Sequence, residues 1–211
     1  MNSQQWQVGL TSYHLKIIAA LTMLIDHVGH VFYPEVEWLR IIGRVSFPLF
    51  VWLLVQGEAH TKSIWRYGAR LGVLALISQP VYQAAFDIDQ LNVLVQLLIG
   101  LVCLRALRQP KKLAVPMVVG CMLLSVIVPL GYSLYGMGLL LLTRYFRNDI
   151  SSWLSWIGYH TVWALLGVPG QLPVIFVPLL FTAFNGERGS RARWFYGFYP
   201  GHLLLLALAS E

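Results

Sequence analysis

The sequence predicts an all-α protein built as a polytopic transmembrane bundle of about nine helices, eight at the fewest. Three observations lead there. The 211 residues are 57% apolar and only 11% charged, with a mean hydropathy of +0.65, whereas soluble domains carry roughly a quarter charged residues. The apolar residues fall into runs of near-spanning length. The Lys and Arg residues gather in alternate gaps between those runs, as they do on a cytoplasmic face.

A helix needs about 20 apolar residues to cross a hydrocarbon core about 30 Å thick. In order along the chain, the candidate spans lie at 15–33, 38–58, 66–86, 91–108, 112–130, 133–147, 150–167, 171–184 and 195–209. The stretches 133–147 and 171–184 are short and suit tilted, re-entrant or locally thinned arrangements; removing one leaves eight spans. Lys62, Arg66 and Arg70 follow the second run, and Arg105, Arg108, Lys111 and Lys112 the fourth. Arg144 and Arg147 follow the sixth, and Arg188, Arg191 and Arg193 the eighth. All four groups fall on one side, which is therefore expected to be cytoplasmic. The intervening connections carry Glu35, Glu37, Asp87 and Asp89, or almost no charge. The N-terminus is expected inside and, with nine spans, the C-terminus outside. Trp38, Trp65, Trp153 and Trp194 stand near run ends, where aromatic rings favour the interface. Residues 1–211 read as a single integral membrane domain of a bacterial inner membrane, with the lipid bilayer as its surroundings.

The same patterns exclude several classes. A net charge of +6 could suggest nucleic acid, but the basic residues form small groups and never a continuous basic face, so no nucleic-acid partner is expected. Neither GxGxxG nor GxxxxGK[ST] occurs. Cys103 and Cys121 lie in apolar runs and form neither a disulfide framework nor a zinc pattern. Met1 to Tyr13 is polar and the first apolar run contains Asp26 and His27, unlike a cleaved signal, so the N-terminus is expected to be retained.

Ionisable groups within spans cost several kcal/mol unless paired or hydrated, roughly, and so mark candidate sites. Asp26 and His27 come about ten residues after Lys16, near mid-membrane at about 1.5 Å per residue. The turn Pro34 to Glu37 is so short that the first two helices are antiparallel neighbours, which brings Arg44 to the same depth. His202 reaches comparable depth from the cytoplasmic side. Asp26 has a purely structural alternative, as an ion-pair partner that neutralises Arg44. Arg40 shares a face with Arg44, and His30 with His27. A His beside a carboxylate or Arg in a partly hydrated cleft can act as a general base at neutral pH. Pro48 and Pro200 flank the same places and would free backbone carbonyls there. No metal is expected, because Asp26, His27 and His30 lack HExxH or comparable spacing.

Four further features are candidate binding residues. Glu58 and His60 stand at the inner end of the second helix, near Arg66 and Arg70, and read equally as a solvated helix end. Asn92 opens the fourth run, where it would cap the helix or contact a substrate. Asn185-Gly-Glu-Arg-Gly reads as a tight turn, yet Arg188 with Arg191 and Arg193 also makes an anion site. His160 and His14 read as packing or interface residues.

These residues resemble the TraX family, whose namesake is a conjugal-transfer protein linked to N-terminal acetylation of pilin. The likeness runs through Lys16-Ile-Ile-Ala, Met23-Leu-Ile-Asp26-His27-Val-Gly29, and Leu39-Arg40-Ile-Ile-Gly43-Arg44-Val-Ser-Phe47-Pro48. It continues through Glu58-Ala-His60-Thr61, Arg66-Tyr67 with Arg70, Ser78-Gln-Pro80, Asn92-Val93, Tyr135-Gly136, Asn185-Gly186-Glu-Arg188-Gly189 and Phe198-Tyr199-Pro200-Gly-His202-Leu203. Order and spacing together carry it, over nearly the whole chain. Gln79 departs from the pattern, standing where many relatives would have an acidic residue.

The resemblance implies a multi-pass inner-membrane acyltransferase using acetyl-CoA, with more distant similarity to other polytopic membrane acyltransferases. Its acceptor would be an amine, such as a pilin N-terminus, or a hydroxyl on another membrane or periplasmic molecule. His27 would be the base, with His202 as the alternative, Asp26 orienting His27 or Arg44, and Arg44 stabilising the oxyanion. Arg66, Arg70, Arg188, Arg191 and Arg193 would hold the phosphates of coenzyme A. Arg40, Glu58, His60 and Asn92 would contact substrate. Two other readings compete: a small proton-coupled transporter, in which Asp26, His27 and His202 form a pathway, and a non-enzymatic assembly factor for conjugation or pilus proteins.

Overall fold

The computed structural model describes residues 9–210. The stretch from Met1 to Val8, most of the segment expected to remain on the cytoplasmic side, lies outside the described residues. Among the described residues ten α-helices follow one another: α1 (Ser12–Phe32), α2 (Glu37–Gly43), α3 (Ser46–His60), α4 (Ile64–Phe86), α5 (Val93–Ala106), α6 (Lys111–Ile127), α7 (Ser133–Tyr145), α8 (Ile150–Leu165), α9 (Pro178–Thr182) and α10 (Phe195–Ser210). A 3₁₀ helix, Pro169–Phe176, precedes α9. Among the described residues the only β structure is two isolated bridges, Leu10 with Phe184 and Leu91 with Leu130.

Each apolar run of the sequence corresponds to a helical segment, and two stretches, Ser12–Phe32 and Glu37–His60, are long and apolar enough to cross a membrane. In the second of these the regular α-helix is interrupted at Arg44 and Val45, where α2 gives way to α3. Pro48 has no N–H to donate to the carbonyl of Arg44, but at the third position of α3 that donor is dispensable. The Ser46 hydroxyl donates to the Ala19 carbonyl at 2.9 Å, which pins the start of α3 to α1. The run at 171–184 does not form one continuous helix. Pro169, just before it, opens a 3₁₀ segment that contains Pro173, and Pro178 opens the five-residue α9.

Helix starts follow from capping side chains. The Asn92 Oδ1 accepts from the Leu94 N–H at 3.1 Å to open α5. Asp149 Oδ1 accepts from the Ser152 N–H at 2.7 Å to open α8, and these Ser152 hydrogen bonds hold its carboxyl below the ordinary aspartate range. Helix α5 is apolar on every side and is accordingly central. Its Leu101, Cys103 and Leu104 pack in one core with Leu49, Val51 and Leu54 of α3 and Met137, Leu139 and Leu140 of α7, all at most 2% exposed. Around this core α1 packs on α2 and α3, α10 lies along α4 and α1, and α8 rests on the 3₁₀ segment.

The turn between α1 and α2 brings their backbones together. A Cβ on Gly29 would stand 2.6 Å from the Leu39 Cβ, and one on Gly43 would overlap the Asp26 side chain. On the other side of the bundle, the Leu10 N–H donates to the Ala183 carbonyl at 2.7 Å and the Tyr13 N–H to that of Arg188 at 3.1 Å. Gly189, with φ +69°, presses on Thr11 and lets the loop lie flat there. These contacts fix Arg188 beside the start of α1.

Candidate functional site

Two cavities lie back to back. The larger, about 620 Å³, is bounded by α1, α3, α4, α5, α10 and the loop at 184–192. Lys16, Arg70, Arg188 and His60 contribute cations or cation-capable groups to its wall, while Leu53, Leu54, Leu71, Leu74, Leu94 and Leu97 make an apolar interior. The smaller, about 350 Å³, is lined by Asp26, His27, His30, Arg40 and Arg44 together with Tyr82, Gln90, Tyr132 and Gln171. Met23, Phe50, Val93 and Tyr199 belong to the walls of both. Polar chemistry thus stands on either side of one shared wall.

In the smaller chamber the side chains are fixed by short contacts. The Arg40 Nη1 donates to Asp26 Oδ2 at 2.9 Å and to the Asp26 carbonyl at 3.1 Å. The hydrogen-bonded ion pair of Asp26 is thus with Arg40, while Arg44 acts on the same carboxylate through its charge. Gly43 touches Asp26; Arg40, three residues earlier, shares its face, whereas Arg44, one residue later, is turned about 100° away. The Arg44 side chain makes no hydrogen bond or salt bridge among the described residues, while its backbone N–H closes α2 on the Arg40 carbonyl at 3.1 Å. The parallel rings of Phe47 and Tyr132, 3.7 Å apart, form another part of the wall.

His27 and His202 meet across α1 and α10, with His27 Nδ1 2.9 Å from His202 Nε2. The other nitrogen of His202, Nδ1, is 2.7 Å from the Phe198 carbonyl oxygen. A carbonyl only accepts, so His202 carries its proton on Nδ1 and its neutral Nε2 must accept from His27 Nδ1–H. His27 Nε2 is then the nitrogen with a free lone pair, and no described group occupies it. His202 is 6% exposed and does not line the chamber, whereas His27 does. The chemistry available is that of a base at His27 Nε2, with His202 behind it and Arg44 as a cation whose guanidinium is not hydrogen-bonded to a carboxylate.

The remaining sequence candidates divide. Arg70, Arg188 and His60 line the larger cavity; Arg66, Arg191 and Arg193 do not, although Arg70 Nε donates to the Arg66 carbonyl at 3.1 Å. Glu58 lines neither. It is 3% exposed and accepts from Arg108 at 2.7 Å through both oxygens and from Arg105 at 3.2 Å, clamping α3 to the end of α5. Asn92, fully buried, caps α5 and donates to the Ala75 carbonyl and Gln79 Oε1, both at 2.8 Å. Gln79 in turn donates to the Gln90 carbonyl at 2.9 Å, a bond no ionised carboxylate could make. Among the described residues no three His, Cys, Asp or Glu side chains gather as metal ligands. Sequence reasoning missed Tyr132 and Gln171, which arrive from distant stretches without a local signal. It also missed a role for Tyr199, although that residue stands three before His202 on the same helical face.

Comparison with known proteins gives the geometry a lineage. A probable fimbrial assembly protein FimC, serogroup H1, of Dichelobacter nodosus is 27% identical over 96% of both chains. Protein TraX of Escherichia coli is 34% identical over 26% of this chain and 25% of its own. An uncharacterized protein of Rickettsia prowazekii is 50% identical over 17% of this chain and 14% of its own. No solved structure matches. The TraX protein family matches residues 12–210, which takes in both cavities and every helix described, and the chain belongs to that family.

Proposed function

We propose that this protein is a multi-pass inner-membrane acyltransferase, one integral domain with a cytoplasmic N-terminus, that carries acetyl from acetyl-CoA to an amine or hydroxyl acceptor. The observation that carries this reading is the pair of cavities with a common wall. The bilayer as solvent is supported by Trp65, Leu76, Ile127, Ile150 and Leu165, all at least 75% exposed, far more apolar surface than water tolerates on a monomer.

In this reading Lys16, Arg70 and Arg188 take the phosphates of coenzyme A at the cytoplasmic mouth, as charge-assisted hydrogen bonds to phosphate favour. Arg66, Arg191 and Arg193 add to the attracting field at the same face. The pantetheine arm crosses the apolar interior and brings the thioester to the shared wall. On the far side the acceptor binds among Arg40, Arg44, Tyr132 and Gln171. His27 Nε2 takes the proton from the attacking nitrogen or oxygen. Arg44 offers positive charge to the developing oxyanion. Asp26 holds Arg40, and so fixes the helix that presents Arg44.

A fimbrial or pilus subunit is the acceptor this reading favours, on the strength of the fimbrial relative that matches end to end. The same relative favours a second reading, a non-enzymatic assembly factor. Membrane vesicles supplied with acetyl-labelled acetyl-CoA separate the two. Transfer of label to a protein or other acceptor, abolished by His27→Ala at unchanged protein level, supports the enzyme. Pilus assembly that persists in His27→Ala, with no label transferred by the parent, supports the assembly factor.

A further inference from the structure

The wall between the cavities holds an unused donor. Tyr199 is 5% exposed and lines both cavities, and its hydroxyl is sealed from solvent with no hydrogen-bond partner of full strength. The Val93 backbone lies beside it, and among the described residues no acceptor takes the phenolic proton. Val93 is the first residue of α5, and the positive end of that 14-residue helix is aimed at the same place. A buried donor without an acceptor is costly, and the protein keeps one where the two cavities adjoin.

We propose that Tyr199 is a catalytic residue, its hydroxyl donating to the carbonyl oxygen of the acyl group held at the shared wall. This rests on the acyl-transfer reading above and adds a donor to it. When the acceptor's nitrogen or oxygen attacks the thioester carbon, the C=O π pair moves onto oxygen and the acceptor's proton goes to His27 Nε2. The Tyr199 O–H, made a stronger donor by the end of α5, holds the oxyanion at short range. When the carbonyl re-forms, the C–S bond breaks, and the thiolate of coenzyme A takes the proton back from His27. Arg44 then acts at longer range, as a charge on the acceptor side. The Tyr199 ring is 5.7 Å from that of His202, the ring that accepts from His27, so the donor and the support of the base are neighbours on one face of α10.

The test needs no acceptor. Full-length protein in detergent is given acetyl-CoA with ¹³C at the thioester carbonyl, binding is measured by calorimetry, and the labelled C=O stretch is read by difference infrared. The parent is expected to bind and to show a lowered stretch; Tyr199→Phe is expected to bind within about twofold and to lose that shift, with unchanged thermal stability. Identical bands in the two proteins overturn the role of Tyr199 and leave the acyl-transfer reading standing. A marked loss of stability in Tyr199→Phe also overturns it, because the hydroxyl would then have a structural partner. No binding by folded parent overturns the acyl-CoA reading and this inference together.

Discussion

His27 Nδ1 stands 2.9 Å from His202 Nε2, and the Phe198 carbonyl behind His202 decides which ring donates. The chain of bonds runs one way, from His27 to His202 to the helix backbone, and leaves His27 Nε2 as the basic atom. His202→Ala is predicted to lower acyl transfer about 10²-fold, the low end of what a positioned base contributes. His202→Gln, which restores an acceptor oxygen, is expected to recover part of that loss. Nitrogen NMR on ¹⁵N-histidine protein checks the cause directly: His27 should carry its proton on Nδ1 in the parent and lose that preference in His202→Ala. A parent in which Nε2 is protonated would reverse the assignment.

At Gly43 α2 lies tight against α1, with Asp26 filling the space a Cβ would need. Gly43→Ala should cost about 1–3 kcal/mol, as overpacking does, and loosen the Asp26–Arg40 bond with it. Thermal melting in detergent reads the first effect. Unchanged melting would mean that the two helices can separate without loss.

Glu58 carries the negative charge of the Arg105–Arg108 clamp, and its side chain is 1% exposed against 44% and 39% for the arginines. Removing one partner of a buried ion pair is strongly destabilising, but here the arginines regain water, so Glu58→Ala should cost about 1–3 kcal/mol rather than more. Because the residues form one unit, Glu58→Ala with Arg108→Ala should cost less than the sum of the single changes. Strict additivity would show that the clamp is not energetically coupled.

Gln79 uses both ends of its amide, accepting from Asn92 and donating to the Gln90 carbonyl. Gln79→Glu keeps the acceptor and loses the donor, at a predicted cost of about 1 kcal/mol. If the carboxylate proves neutral or stabilising, the amide bond to Gln90 carries no weight.

Helix positions were legible because apolar runs and their capping residues are local signals: Asn92 marks the start of α5 in the sequence and in the structure alike. The run at 171–184 was less legible, since three prolines compete with an apolar pattern that alone reads as a helix. In the site, the comparable depth expected of His27 and His202 from the flanking charges is in keeping with the contact between their rings. The partner of Asp26 could not be read in that way, because it depends on the rotation of α2 about its axis, which Gly43 fixes by touching Asp26. The same holds for Glu58, whose arginines stand 47 and 50 residues away.

The central claim is that a cationic cavity admits coenzyme A and presents its thioester to His27. Calorimetry with acetyl-CoA on purified parent, Arg70→Ala with Arg188→Ala, and His27→Ala tests it most directly. The account predicts binding by the parent, binding weakened at least about tenfold when the two arginines are removed, as loss of charge-assisted phosphate contacts would give, and binding retained in His27→Ala. Folded parent protein that binds no acetyl-CoA, or whose binding is indifferent to Arg70 and Arg188, would contradict it.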